Sequence, residues 1–302
     1  MFKPLHTLVS VAALAFALPA CAQEAPTFAP AAATDADPAL WVVKDEDTTV
    51  YLFGTVHVLK PGLTWFDEAV RKAFDGSQTV VLEVADLNPE AVQKVALAKG
   101  FNASGPTLTD KLPADKRAAV TQALTAAGLP QQVYDRMDPW LAAVQLVGAP
   151  MEKLGYKGDS GAEKAIAAAA RDANKQVIGL ETAEQQLGFF DSISEPEQVK
   201  FLVSSAEDLP ELGREMERMV ATWARGDARG LAAIMNENLK DSPEVARILL
   251  TDRNKRWAEW IDRRMDQPGT VFVAVGAGHL AGAGSVQDQL GAYKLKATRV
   301  KY

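Results

Sequence analysis

Short apolar, β-branched runs at the two ends of the chain, separated by a long stretch of helical pattern, constrain this fold most. Such runs are typical of strands, and residues 79–84 are nearly all apolar, so we expect this strand to be buried on both faces of a sheet. The strands predicted in this way span residues 40–43, 49–53, 79–84, 270–275 and 297–301. The polar turn 44–47 predicts a hairpin between the first two. We therefore expect an α/β protein whose N- and C-terminal strands share one central mixed sheet.

The middle of the chain, about 88–250, is predicted to be a large helical region between these strands. Alanine is abundant there, and apolar residues recur at a spacing near 3.6. One strand, 175–180, interrupts the helices. The clearest helices span 113–127, 139–154, 162–173, 195–206 and 211–225, with one at 65–74 before this region and a long one at 242–266. We expect the helices to pack on the sheet or to cap it.

The first 22 residues have the pattern of an export signal. Lys3 supplies positive charge, and the apolar run that follows at 8–18 is too short to span a bilayer as a mature helix. Cleavage after Ala22 predicts a soluble protein in the periplasm or outside the cell. A lipoprotein site with an anchor on Cys21 is the alternative. Residues 23–38 are predicted to be a flexible leader, and 39–302 the folded domain.

Composition excludes several classes of protein. Cys21 is the only cysteine, so cleavage after Ala22 leaves no thiol for a disulfide or for catalysis. The net charge is −7 at pH 7, and loss of Lys3 makes it about −8. The chain has no long basic run, which argues against a nucleic-acid partner. It also has no transmembrane stretch after the signal.

Two matching Gly-x-x-His motifs contain the only histidines outside the predicted signal. His57 follows Gly54 by three residues, and His279 follows Gly276 by three, each after a predicted strand. A glycine lets the chain leave a strand sharply, and loops beyond strand ends are where α/β sheets form sites. The alternative is that both are ordinary turn histidines. Since the setting recurs more than 200 residues apart, we expect the two imidazoles to share one crevice.

Two glutamates end predicted strands. Glu83 lies near the end of the strand 79–84, and Glu181 follows the strand 175–180. A carboxylate there is placed to bind a metal or to act as a general base. The alternative is a structural role in a salt bridge or a helix cap. For Glu181 that alternative is strong, because Thr182 and Gln185 form a capping-box pattern.

Arg253 and Asn254 lie together in the last long helix. Such a pair is suited to holding a substrate carboxylate or an oxyanion. On composition alone, a solvated helix face is the more common explanation.

Several catalytic signatures are absent from the sequence: the zincin pair of histidines around a glutamate, the serine-hydrolase nucleophile elbow and the phosphate-binding loop. Residues 276–281 approximate a dinucleotide-binding turn. However, too little chain follows to complete that unit, and the next strand ends without an acidic residue for a ribose.

The motifs in this order resemble the TraB/GumN family, which includes the Tiki proteins, over about residues 40–302. The resemblance rests on Phe53-Gly54-Thr55-Val56-His57, Leu82-Glu83, Asp138-Pro139-Trp140, Gly179-Leu180-Glu181-Thr182 with Gln185, Arg253-Asn254 and Gly276-Ala277-Gly278-His279-Leu280-Ala281-Gly282. It implies a fold related to the ChaN-like and erythromycin-esterase-like proteins, and a site built from both histidines and a strand-end glutamate. Where many members have a glycine–hydrophobic–aspartate turn, this chain has residues 157–161, with Asp159 as the loose equivalent.

Tiki members are described as metal-dependent proteases, and the first hypothesis follows them: an exported metal-dependent hydrolase, such as a peptidase. His57 and His279 would bind zinc, manganese or iron, with Glu83 as third ligand or as base for the bound water. The second hypothesis is metal-independent, esterase-like hydrolysis with a histidine as general base, oriented by Glu83 or Glu181. The third is an envelope protein that binds haem or another small ligand. Whether the substrate is a peptide or a small molecule stays open.

Overall fold

The computed structural model describes residues 34–86, 88–236 and 242–302. The predicted signal, Cys21 and most of the predicted leader lie outside these residues, so export and lipid anchoring stay predictions. The end of the predicted leader, however, belongs to the fold. Strand β1 (Thr34–Asp35) pairs in parallel with β4 (Leu63–Thr64), and Ala36 is buried. Residues 34–36 therefore contact the domain whose start is predicted at residue 39.

A six-stranded mixed sheet is the centre of the molecule, as expected. Its strands lie in the order β6, β5, β7, β3, β2, β8. Their bounds are β2 Leu40–Lys44, β3 Thr48–Thr55, β5 Thr79–Val84, β6 Gln176–Glu181, β7 Gly269–Gly276 and β8 Thr298–Arg299. The predicted hairpin is present, since β2 pairs with β3 antiparallel from Leu40 opposite Phe53 to Lys44 opposite Thr49.

Four strands, β3, β5, β6 and β7, run parallel to one another. Strands β3 and β7 are in register over their whole length, from Thr48 opposite Gly269 to Thr55 opposite Gly276. The carboxyl ends of parallel strands lie at one edge of a sheet, which is where α/β proteins place their sites. The ends of all four strands therefore meet at one edge.

Helices occupy most of the chain between β5 and β7, as predicted. The α-helices of the described residues, of which the first precedes β5 and the last follows β7, are α1 Glu68–Asp75, α2 Pro89–Gly100, α3 Leu108–Lys111, α4 Arg117–Ala126, α5 Gln131–Tyr134, α6 Pro139–Lys153, α7 Ala162–Asp172, α8 Ala183–Asp191, α9 Glu195–Asp208, α10 Leu212–Ala224, α11 Ala228–Asn236, α12 Pro243–Ala246, α13 Asp252–Met265 and α14 Val286–Leu290. A π-helical segment, Arg247–Thr251, joins α12 to α13, so the predicted long helix is interrupted there.

The two faces of the sheet are covered by different helices. On β7, Val271, Val273 and Val275 pack with α13 and α14, while Phe272 and Ala274 face the larger core formed with the helical middle region. This alternation follows from the two-residue period of a strand. The helical region therefore packs on one face of the sheet, which decides between the two arrangements that the sequence left open.

None of the helices in the described part of the chain is both long enough and apolar enough to span a membrane.

Candidate functional site

Each of the four parallel strands delivers a polar side chain to the common edge. His57 lies two residues beyond β3, Glu83 is the penultimate residue of β5, and Glu181 is the last residue of β6. His279 lies in a short 3₁₀ turn, Ala277–Leu280, directly after β7. All four side chains are buried, with His279 only 3 % exposed. The strands themselves therefore hold these groups in place.

Three of these side chains converge beside Gly276. A Cβ at this position would lie 3.0 Å from Glu83 Oε1, 3.6 Å from His279 Cδ2 and 3.6 Å from His57 Nε2. Because the three atoms surround one point, no two of them are more than about 7 Å apart. The Gly276 N–H also donates to Glu83 Oε1 at 2.6 Å. Glycine at this strand end thus leaves a small space bordered by both histidines and a carboxylate.

His57 is paired with Glu163, an acid that the sequence motifs do not predict to be part of the site. Its Nδ1 lies 2.6 Å from Oε1 of Glu163, which is in the first turn of α7. Only 13 % of the Glu163 side chain is exposed. A carboxylate accepts but cannot donate, so this contact places a proton on Nδ1 and directs the lone pair to Nε2 in neutral His57. Nε2 is the atom that faces the space at Gly276.

A close backbone approach puts Glu163 in reach. A Cβ on Gly161 would lie 2.2 Å from the His57 carbonyl oxygen, so only glycine fits there. The Ala162 N–H donates to the Val56 carbonyl at 3.0 Å in the same contact. Asp159, the equivalent suggested by the resemblance, is instead a surface residue whose side chain is 93 % exposed and pairs with Lys164. The acid of this segment that reaches the site is therefore Glu163.

Arg253 links the remaining acids into one network. Its Nε and Nη2 donate to Glu181 at 2.9 and 2.7 Å, and Nη2 also donates to Glu83 Oε2 at 2.7 Å. Nη1 donates to the Leu249 carbonyl and to His279 Nε2, each at 3.1 Å. These contacts employ all five N–H groups of the guanidinium. At 2 % exposure, Arg253 is not on a solvated helix face, and it is committed to its own protein rather than open to a substrate carboxylate.

The ring of His279 is held on three sides. Its Nδ1 lies 2.6 Å from Asn254 Oδ1, while Asn254 Nδ2 donates to the Gly284 carbonyl at 2.8 Å. The Trp257 ring packs against it with centroids 4.3 Å apart. Since Asn254 offers its oxygen, Nδ1 of His279 carries the proton and Nε2 accepts from Arg253. His279 is therefore a neutral acceptor in this arrangement.

The surroundings of the two glutamates shift their pKa values in opposite directions. Burial alone would raise the pKa of Glu83, but Arg253, His279, His57 and the Gly276 N–H together lower it to about 2. Glu83 is thus ionised at every physiological pH. For Glu181, burial raises the pKa and the charge of Glu83 adds to this, so Arg253 offsets the shift only in part. Glu181 is therefore the acid of this pair that more readily binds a proton.

All six residues predicted from the sequence thus lie in one cluster, but the donor atoms do not fit a resident divalent metal as they are arranged. Both ring nitrogens of His279 are engaged, by Arg253 and by Asn254. A cation between Glu83 and His279 would lie beside the guanidinium of Arg253, which contacts both and would repel it. Among the residues that the structure describes, no group of three or more His, Cys, Asp or Glu side chains is placed to hold a metal ion.

Glu163, Gln186 and Trp257 belong to the site but were not predicted. Gln186 donates to Glu83 Oε2 at 2.7 Å. It lies on α8, one residue after Gln185 of the predicted capping box. Trp257 lies four residues after Arg253 on α13, a spacing that puts both on one helix face. Glu163 follows Gly161 at the start of a predicted helix. The helical spacing was the available signal for Trp257, but nothing local distinguishes Glu163 from the other acids of its helix.

The neutral state of His279 predicts that acid destabilises the fold. Burial, followed by the positive charge of Arg253, lowers the pKa of His279 from 6.5 to about 3. Between these values the unfolded chain binds a proton that folded His279 does not, so the free energy of unfolding falls as the pH falls. Glu83 acts in the same direction at lower pH, between 4.5 and about 2.

We expect the free energy of unfolding to fall by roughly 2 kcal/mol between pH 7 and pH 5 through His279 alone. Urea unfolding of the wild type and of His279→Gln at both pH values measures this contribution. The variant lacks the titrating group, so its own fall should be smaller by about that amount. An equal fall in the two proteins would contradict a buried, neutral His279.

Comparison with known proteins places this site in a family. The model of the TraB/PrgY/gumN family matches residues 39–299, which include every residue of the cluster. The chain belongs to this family. The resemblance seen in the sequence motifs is therefore confirmed.

Two relatives show how far the similarity extends. An uncharacterised protein of Treponema pallidum (strain Nichols) is 22% identical over 267 residues, which cover 82% of this chain and 78% of the relative. The uncharacterised protein YbaP of Escherichia coli (strain K12) is 24% identical over 163 residues, covering 54% of this chain and 60% of YbaP. A protein of the same name from Shigella flexneri matches equally. No solved structure matches the chain.

Proposed function

We propose that this protein hydrolyses an ester or amide bond without a metal, with His57 as the general base. The observation that carries the proposal is the 2.6 Å contact between Glu163 and His57 Nδ1, with Nε2 facing the space at Gly276. A histidine whose Nδ1 is held by a buried carboxylate is oriented to accept a proton at Nε2. Hydrolysis by general-base catalysis needs that proton acceptor beside the reacting atom.

The proposed reaction uses the described side chains in distinct ways. His57 Nε2 removes a proton from water as its oxygen bonds to the carbonyl carbon of the substrate. His57 Nε2 then gives the same proton to the leaving oxygen or nitrogen of the substrate, as the bond between that atom and the carbonyl carbon breaks. Glu163 and the ionised Glu83 stabilise the imidazolium that exists between these steps, since Glu83 Oε1 borders the same space. Arg253 holds Glu83 in position through Nη2, and its Nη1 donates to neutral His279.

Arg253 is the reason that we prefer the hypothesis of metal-independent hydrolysis to that of a metallopeptidase. Its guanidinium supplies the positive charge between Glu83, Glu181 and His279 that a metal would otherwise supply. Zinc, manganese or iron on His57, His279 and Glu83 stays a prediction from the sequence, and the haem-binding reading likewise stays untested.

The test is hydrolysis by metal-depleted protein. We expect protein dialysed against a chelator to hydrolyse members of a panel of activated esters and fluorogenic peptides at a rate within about twofold of undialysed protein, since no step requires a metal. Added zinc, manganese or iron should leave the melting temperature unchanged, because a ligand that binds only the folded state would raise it. Activity that is lost in chelator and restored by one of these metals would establish the metallopeptidase reading instead.

A further inference from the structure

Thr55 lines a small cavity beside His57, and its buried hydroxyl has no hydrogen-bond partner among the described residues. Thr55, the last residue of β3, is 3 % exposed. Most buried side-chain polar atoms are hydrogen-bonded, because an unpaired buried hydroxyl costs free energy. The hydroxyl therefore requires a partner that is not part of the described chain.

The cavity has the size and lining of a site for one water molecule. It leaves about 10 Å³ for the centre of a water, which is close to the minimum that a buried water needs. Thr55 and His57 are its polar lining residues. The apolar side chains that line it are Val56, Met219, Leu231, Met235 and Ala277. A water there would find its hydrogen-bonding partners at the Thr55 hydroxyl and at His57, since the apolar side chains offer none.

We propose that this cavity holds the water that His57 activates, and that the Thr55 hydroxyl is the group that positions it. The inference rests on the proposed function, because it identifies the nucleophile of that reaction. Thr55 lies opposite Gly276 in the β3–β7 register, so the water is held next to the space that we assign to the reacting carbon. The rest of the lining that Met219, Leu231 and Met235 form is apolar, so we assign the one water held at Thr55 and His57 as the nucleophile.

Thr55→Val tests the inference without disturbing the packing, because valine has the shape of threonine and no side-chain partner is lost in the described chain. We expect kcat to fall by about tenfold or more with little change in KM, as expected when one group that orients a nucleophile is removed. Thr55→Ser keeps the hydroxyl and should retain activity within about threefold. Thr222→Val is the matched control, since Thr222 is also buried but its hydroxyl donates only to the Arg218 carbonyl in its own helix.

A readout that does not depend on activity is a high-resolution crystal structure of the wild type and of Thr55→Val. The wild type should show one ordered water within hydrogen-bond distance of Thr55 Oγ1 and His57, and the variant should lack it. A dry cavity in the wild type would overturn the inference. Hydrolysis that is lost in His57→Asn but unchanged in Thr55→Val would overturn the inference and leave the proposed function intact. Hydrolysis that survives His57→Asn would overturn the proposed function itself, whatever the Thr55 variants do.

Discussion

Replacing His57 by asparagine should lower kcat for hydrolysis by about 10²- to 10⁴-fold, the usual contribution of a general base. His57 is placed for this role because Glu163 holds Nδ1 at 2.6 Å and Nε2 borders the space at Gly276. Asparagine keeps a polar side chain at the end of β3 but offers no basic nitrogen. Steady-state rates on the best substrate of the ester and peptide panel, with circular dichroism to check folding, measure the effect.

Glu163→Gln separates the charge of Glu163 from its shape. The glutamine oxygen still accepts from Nδ1, so His57 keeps its orientation, but the imidazolium loses a buried negative charge. We therefore expect a fall in kcat that is smaller than for His57→Asn, with KM nearly unchanged. Asp159→Asn is the matched control, since Asp159 lies four residues before Glu163 in the sequence and its side chain is 93 % exposed. Equal activity in the wild type and in Glu163→Gln would contradict an electrostatic role for Glu163.

Arg253→Met should lower the free energy of unfolding by about 3–5 kcal/mol, as expected when one member of a buried ion cluster is removed. Methionine fills much of the volume of arginine. It leaves Glu83 and Glu181 buried without the cation that contacts both. Urea unfolding at pH 8 measures the loss. The loss should be smaller at pH 5, because a proton on one carboxylate removes part of the uncompensated charge.

Two further variants show whether the loss of stability in Arg253→Met comes from the lost geometry of the guanidinium or from its lost charge. Arg253→Lys restores the charge but offers three donors on one nitrogen, so it cannot reach Glu83, Glu181 and His279 together, and we expect an intermediate loss. Arg256→Met is the matched control on the same helix. Arg256 is 3.9 Å from Glu181 and its side chain is 49 % exposed, so its loss should cost less than about 1 kcal/mol. An Arg253→Met protein as stable as the Arg256→Met protein would contradict the central role of the guanidinium.

Much of the scaffold followed from local pattern. The apolar runs predicted the strands of the sheet. The polar residue at the end of each run predicted which side chain lies at the edge of the sheet. Thus Glu83 and Glu181 could be placed at strand ends, and the two Gly-x-x-His phrases could be placed beyond them. This succeeded because a parallel strand carries its last residues to the same edge as its neighbours, whatever the helices between them do. A similar local rule identified the capping box at Thr182.

The contacts that the residues at those strand ends make with other side chains were decided only by tertiary packing. Local pattern favoured a solvated face for Arg253, but the fold buries it and employs all its donors within the protein. In the same way Glu163, and not Asp159, reaches His57 across 106 residues of sequence, because Gly161 lets the start of α7 approach the backbone just beyond β3. The sequence by itself determined which chemical groups are available at the sheet edge. The fold determined their partners and protonation states, since hydrogen bonds between distant segments depend on angles and distances that no local spacing encodes.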